Sequence, residues 1–168
     1  MKIAIISDSH DHYENLGKSV VLANDAGCEI MLHAGDLGAP GKCVNILSEF
    51  DGKVKMVIGN NDHELIGLMR EAQAVENFEL IKTSTGGDSY EEEIDGIKIF
   101  MHHYPRISEL AAYSGNFDLC IFGHTHKYHE EKINNTFLVN PSSIHPEQTE
   151  SSFIIFDTEL REIKRVLL

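Results

Sequence analysis

Apolar and polar residues come in alternating blocks along the first half of the chain, in an order typical of strands and helices in turn. Residues 2–7, 29–33 and 53–58 are short apolar runs, which favour buried strands. Between these runs, residues 13–26 and 43–50 carry apolar side chains at helical spacing. This order predicts two successive βαβ units, and therefore a parallel sheet with helices over its faces.

The pattern changes after a third predicted helix at residues 64–74. Residues 89–94 and 97–101 flank an Asp-Gly turn, which predicts a β-hairpin and adds antiparallel strands. A proline opens the next predicted helix, at residues 105–114. Short strands are predicted for the rest of the chain, at residues 118–122, 127–133, 136–139, 152–157 and 162–167.

This order of elements predicts an α/β fold in which two β-sheets lie face to face with helices outside them. The 168 residues contain no repeat, low-complexity stretch or linker. Because one domain usually takes about 100–200 residues, we expect a single domain over residues 1–168.

Charge and composition narrow the classes of function. The chain has 14 lysine and arginine residues against 27 aspartate and glutamate residues, a formal net charge of −13. Because such a surface repels polyanions, we expect no broad nucleic-acid-binding surface. The apolar run Ile3–Ile6 is far too short to span a bilayer, so we expect no membrane partner. Three separated cysteines, with no Cys-x-x-Cys pair, favour reduced thiols and a cytoplasmic location.

Ten histidines are the unusual feature of the composition, and several of them follow predicted strands together with acidic or amide residues. The intervals from Asp8 to Asp36 and from Asp36 to Asn60 are 28 and 24 residues, close to one βαβ unit. Because open α/β sheets bind ligands at the carboxyl ends of their strands, we expect five such loops to converge. Their polar residues are Asp8 and His10, Asp36, Asn60, His102 and His103, and His124 and His126.

The chemistry of this set predicts a metal centre. Carboxylate, amide and imidazole donors suit manganese, iron, nickel or zinc. With one of His102 and His103 counted, the set offers seven donors, which are too many for one tetrahedral ion but, with one bridging carboxylate, suit two ions about 3.5–4 Å apart. Gly35, Gly59 and Gly123 precede three of the polar segments, where the chain must turn around a crowded site. We interpret the histidines outside this set as surface, capping or core residues, namely His12, His33, His129 and His145.

The motifs Asp8-x-His10, Gly35-Asp36, Gly59-Asn60, His103 and Gly123-His124-x-His126, in this order, resemble those of the calcineurin-like metallophosphoesterases. The resemblance runs from residue 2 to about residue 143 and is greatest to the small, single-domain prokaryotic phosphodiesterases, which are related to the scaffold subunit of retromer. The segment 140–143, Asn-Pro-Ser-Ser, is similar to an Asn-Pro-Gly-Ser loop of that branch. The resemblance implies a four-layer α/β/β/α sandwich of two mixed sheets flanked by helices.

The resemblance also implies roles for the residues. Asp36 would bridge two divalent ions, for which we expect Mn²⁺, with Ni²⁺, Fe or Zn²⁺ as alternatives. A hydroxide shared by the ions would attack the phosphorus of a small phosphodiester substrate, and Asn60 would also contact that substrate. The ions would offset the acidic surface locally. The first ion would be held by Asp8, His10 and His126, and the second by Asn60, His103 and His124.

Two departures from the family pattern concern the leaving group and one ligand. Asn61 stands where many members have a histidine that protonates the leaving group, and an amide is no general acid. We therefore consider His102 and His63 as substitutes at this catalytic position, and expect diesters with good leaving groups to be preferred. The common His-Gly-His segment is here His103-Tyr104-Pro105, and the strand parity of residues 97, 99 and 101 favours His103 over His102 as the ligand.

Two functions follow from the resemblance. The first is a metal-dependent phosphodiesterase, because the ligand set is complete. The alternative is a weakly active or inactive protein-binding scaffold with the same fold. The loops give no base-stacking or basic-patch signal that would define the substrate further.

Overall fold

The computed structural model describes residues 1–81, 89–146 and 150–168. A six-stranded sheet contains three parallel strand pairs at one edge and two antiparallel pairs at the other. The spatial order of its strands is β11 (Glu162–Leu167), β10 (Ser152–Asp157), β1 (Lys2–Ile6), β2 (Ile30–His33), β3 (Lys53–Met56) and β4 (Phe78–Leu80).

A second, five-stranded sheet is also mixed, with a parallel centre and antiparallel edges. The spatial order of its strands is β5 (Ser89–Ile94), β6 (Ile97–His102), β7 (Leu119–Ile121), β9 (Thr136–Pro141) and β8 (Tyr128–Ile133). The helices of the described residues are α1 (Tyr13–Asp25), α2 (Pro40–Leu47), α3 (Leu65–Ala74) and α4 (Pro105–Ser114).

Burial on both faces of β1 explains the layering. Side chains alternate between the two faces of a strand, and here both sets are buried. Ala4 and Ile6 belong to a core with the residues of α1, α2 and α3, whereas Ile3 and Ile5 pack against the second sheet. A third core lies between the second sheet and α4. The four layers of the α/β/β/α prediction are confirmed.

The structure adds one strand to the predicted elements and shifts several of their bounds, among them both ends of the second helix, which spans Pro40–Leu47 instead of residues 43–50. The strand Phe78–Leu80 was not predicted, because its three residues are too few for a periodic pattern to appear. The second helix begins at Pro40 instead of residue 43, because a proline suits the first helical turn, where its missing N–H costs nothing. Cys28, Cys43 and Cys120 are buried and form no disulfide.

Candidate metal centre

The loops after β1, β2 and β7 hold their metal-ligand candidates in an unusual backbone conformation. Five of the seven candidates have positive φ angles between 41° and 66°, a region that residues other than glycine seldom adopt. Such strain persists where the surrounding structure over-determines it, and it is concentrated at functional sites. These residues are Asp8, His10, Asp36, His124 and His126.

Gly35 and Gly59 allow the loops after β2 and β3 to approach each other. Gly35 has a φ of 97°, and a Cβ atom there would lie 2.7 Å from the backbone nitrogen of Gly59. A Cβ on Gly59 would overlap the side chain of Asp36. Both glycines are therefore needed for the close approach of Asp36 to the loop that carries Asn60.

The first donor group, defined as Asp8, His10 and His126, lies beside Asp36. One ligand atom from each of these four residues lies within 4.8 Å of the others. The Nε2 atoms of His10 and His126 are 3.1 Å apart, and His126 Nε2 is 3.3 Å from Asp8 Oδ1. Burial opposes ionisation of Asp8, but contacts with His10 and His126 outweigh it and hold the pKa of Asp8 below its usual value.

The second donor group, defined as Asn60, His103 and His124, lies on the other side of Asp36. Asn60 Oδ1 is 3.0 Å from His103 Nε2 and 2.7 Å from His124 Nδ1. His103 is fully buried, and its Nδ1 atom donates to the carbonyl oxygen of Ala34 at 2.7 Å. This bond fixes the ring and turns Nε2 toward the other donors, as is common for metal-binding histidines.

Asp36 lies between the two groups. Its Oδ2 atom is 3.6 Å from His10 Nε2 and 3.5 Å from His103 Nε2. The backbone and side-chain N–H groups of Asn61 donate to the two carboxylate oxygens, each at 2.7 Å. Burial alone would raise the pKa of Asp36. The contacts with His103 and Asn61 lower it by more than burial raises it, so the pKa of Asp36 lies below its usual value.

The donor atoms fit divalent cations. In neutral His103 the proton is on Nδ1, so Nε2 is an acceptor that faces the acceptor oxygens of Asn60 and Asp36. Such an arrangement needs a proton or a cation in its centre. The neighbouring carboxylates accordingly raise the pKa values of His10 and His103, although burial opposes this. A mixed shell of oxygen and nitrogen donors suits transition-metal ions.

Asp62 supports the site in a way that sequence reasoning missed. Its buried carboxylate accepts from the backbone N–H groups of Asp36, Leu37 and Gly59, at 2.8 to 2.9 Å. It therefore joins the loop that carries Asp36 to the loop that carries Asn60. Its position two residues after a candidate ligand was the available signal.

His33 supports the loop that carries Asp8 and His10 of the first donor group. Its Nδ1 atom accepts from the N–H of Gly35, so in the neutral ring Nε2 carries the proton and donates to Ser9 Oγ at 2.7 Å. Ser9 lies between the candidate ligands Asp8 and His10. Burial lowers the pKa of His33 to about 4, so the ring is neutral.

The candidates for proton donation lie in different surroundings. Asn61 contacts Asp36, as described above. The ring of His102 lies next to that of Tyr104, and its Nδ1 atom accepts from the Tyr104 N–H. His63 is exposed and lines a cavity of 230 Å³ that also includes Asn61.

Of the three remaining histidines, two have local contacts away from the candidate metal ligands and one lies near them. His12 caps α1 by accepting from Asn15 N–H, and His129 lies at the surface, 3.4 Å from Glu131. The ring of His145 is closer to the centre, 6.4 Å from that of His10. Among the described residues, no helix is long and apolar enough to cross a membrane.

The sequence and the fold are similar to those of known phosphoesterases. The model of the calcineurin-like phosphoesterase superfamily domain matches residues 1–161. A phosphodiesterase of Methanocaldococcus jannaschii is 32% identical, with 100% of this chain and 99% of the relative covered. The solved structure of an archaeal phosphodiesterase superposes with a TM-score of 0.89 at 28% identity, covering 100% of both chains.

A more distant structure shares the fold. The wild-type Vps29 of Entamoeba histolytica, in complex with zinc, superposes with a TM-score of 0.63 at 16% identity, covering 99% of both chains. The family match covers nearly the whole chain, and the loops that carry the family's motifs converge on one cluster of donor atoms. By sequence and by fold, this chain belongs to the calcineurin-like phosphoesterase superfamily.

Proposed function

We propose that this protein is a metal-dependent phosphodiesterase that acts on a small phosphodiester. The observation that carries the proposal is the position of Asp36 Oδ2, 3.6 Å from His10 Nε2 and 3.5 Å from His103 Nε2. One carboxylate between two sets of donors suits a pair of ions that share it. The 32% identity to a phosphodiesterase along the whole chain supports the same reaction class.

The proposal assigns each candidate residue a role in metal or substrate binding. Asp8, His10 and His126 would hold one ion, Asn60, His103 and His124 the other, and Asp36 both. When bound, such ions activate water and neutralise charge that develops on the phosphoryl oxygens. Asn61 would keep Asp36 in place through its two N–H donors, and Asn60 would also face the substrate.

The donor types and the thiols support two finer proposals. Mixed oxygen and nitrogen ligands favour Mn²⁺ as the native metal, with Ni²⁺, Fe and Zn²⁺ as alternatives. Three buried cysteines without a disulfide favour the cytoplasm, where thiols stay reduced. A single domain over residues 1–168 fits the family match, which covers residues 1–161.

We expect diesters with good leaving groups to react faster than alkyl monoesters. The amide of Asn61 cannot protonate a leaving group, and one of its N–H groups, like the backbone N–H, already donates to Asp36. A leaving group of low pKa departs without a proton donor. His102 and His63 remain the proposed alternative donors.

The test is an assay with an activated aryl diester, bis(para-nitrophenyl) phosphate. Protein treated with EDTA is supplied in turn with Mn²⁺, Ni²⁺ and Zn²⁺, and para-nitrophenyl phosphate is compared as the monoester. We expect turnover that returns with metal and is faster for the diester. Stoichiometric metal binding without turnover of the diester under any of the ions would contradict the proposal and favour the scaffold function, since the related Vps29 also forms a zinc complex.

A further inference from the structure

Tyr104 is a large aromatic side chain at the rim of the candidate metal centre. Its ring centroid lies 4.9 Å from that of His124 and 5.4 Å from that of His103. The side chain is nevertheless exposed, with 41% of its surface accessible to solvent. Part of the ring therefore faces solvent directly beside the second donor group.

The backbone at Tyr104 is held in one conformation. Its φ and ψ angles of −82° and 135° are extended, as the following Pro105 requires. The Tyr104 N–H donates to His102 Nδ1 at 3.0 Å, and α4 begins at the next residue. The position of the Tyr104 backbone beside the site is therefore fixed, and a tyrosine side chain has only two χ angles to order when a ligand stacks on it.

We propose that Tyr104 is a specificity-determining residue that stacks against a planar aromatic group of the substrate, such as an aryl or nucleobase ring. This inference rests on the proposed function and names its substrate class as phosphodiesters with one aromatic ester group.

The competing role for Tyr104 is structural. Its contact with His124 could orient that ring, and removal of Tyr104 would then weaken every metal-bound ligand equally. The two roles differ in how they depend on the ligand. If Tyr104 stacks on the ligand, its removal weakens an aromatic ligand more than an aliphatic one of the same charge.

The experiment measures binding of two phosphonates that are not hydrolysed. Mn²⁺-loaded protein is titrated calorimetrically with phenylphosphonate and with methylphosphonate, for the unmodified chain, Tyr104→Ala and Tyr104→Phe. Tyr113→Ala, which removes an exposed tyrosine from the adjoining helix α4, is the matched control. The manganese content of each variant is measured by elemental analysis.

We expect Tyr104→Ala to weaken phenylphosphonate binding by about fivefold or more, the low end of one aromatic stack. Methylphosphonate binding and manganese content should stay the same, and Tyr104→Phe should bind both ligands normally. Equal losses for both phosphonates, or no preference of the unmodified chain for phenylphosphonate, would overturn the inference. Because this readout needs no turnover, failure of the diester assay above would refute the proposed function separately.

Discussion

The two donor groups on either side of Asp36 differ in charge. The first donor group contains the carboxylate of Asp8, whereas the corresponding oxygen of the second belongs to the neutral amide of Asn60. If two cations share Asp36, as proposed, the cation on the first side would meet two carboxylates and the cation on the second side would meet one. The first side should therefore bind a divalent ion more tightly.

The groups also differ in how their histidines are held. The side chains of His10 and His126 are 24% and 28% exposed, whereas His103 is fully buried and fixed by the carbonyl oxygen of Ala34. The first group thus combines two carboxylates with two partly exposed rings, and the second combines one carboxylate with the buried, fixed ring of His103 and the exposed ring of His124. Attraction and orientation would thus be supplied separately to two ions held in one site.

Removing the carboxylate between the groups should abolish the function of both. Asp36→Asn keeps the size of the side chain but removes the charge that two ions would share. We expect turnover of the aryl diester to fall by about a thousandfold or more, because several kcal/mol of charge stabilisation are lost. Metal content should fall as well.

The control for Asp36→Asn is Asp25→Asn, the same change at the exposed end of α1. Metal content is measured by elemental analysis and folding by circular dichroism. Full activity in Asp36→Asn would reject the bridging role of this residue.

Weakening the hydrogen bonds that support the second donor group should lower the affinity for one ion more than for the other. Asp62→Asn places an amide N–H against at least one of the backbone N–H groups of Asp36, Leu37 and Gly59. We expect the affinity for the weaker ion to fall about 10–100-fold, as is usual when a supporting partner is lost. The tighter ion should be less affected, as a Mn²⁺ titration would reveal. Equal losses at both steps would contradict this division.

His33 offers a pH test of the support under the first group. Burial lowers its pKa from 6.5 to about 4, so between these values the unfolded chain binds more protons than the folded chain. This contribution to stability is complete above pH 6.5 and is lost as the pH falls toward 4.

The measurement is urea unfolding in EDTA at about pH 7.5 and about pH 5. Between these two pH values, the free energy of unfolding of the unmodified chain should fall by about 2 kcal/mol more than that of His33→Asn. His33→Gln serves as a second variant, and His129→Asn as an exposed control. Identical pH dependence in the unmodified chain and both His33 variants would show that His33 is not buried as a neutral ring.

Sequence reasoning could predict what depends on period and chain order. The apolar runs of β1, β2 and β3 and their 28- and 24-residue spacing were enough to expect that Asp8, Asp36 and Asn60 meet. It could not predict contacts that depend on a side chain's direction in three dimensions. Asp62, which accepts three backbone N–H groups, and Tyr104, which reaches the His124 ring, belong to this class. The strand Phe78–Leu80 was missed for a second reason, because three residues carry too little pattern.

Equalising the charge of the two groups is the most direct test of the comparison. Asn60→Asp gives the second side its own carboxylate and leaves the fixed ring of His103 in place. We expect Mn²⁺ to bind the unmodified chain in one tighter and one weaker step, and the variant to tighten the weaker step about tenfold. Asn116→Asp adds the same charge at an exposed position and should leave both steps unchanged. An undiminished gap in Asn60→Asp would mean that ring orientation, and not carboxylate number, sets the difference between the two sides.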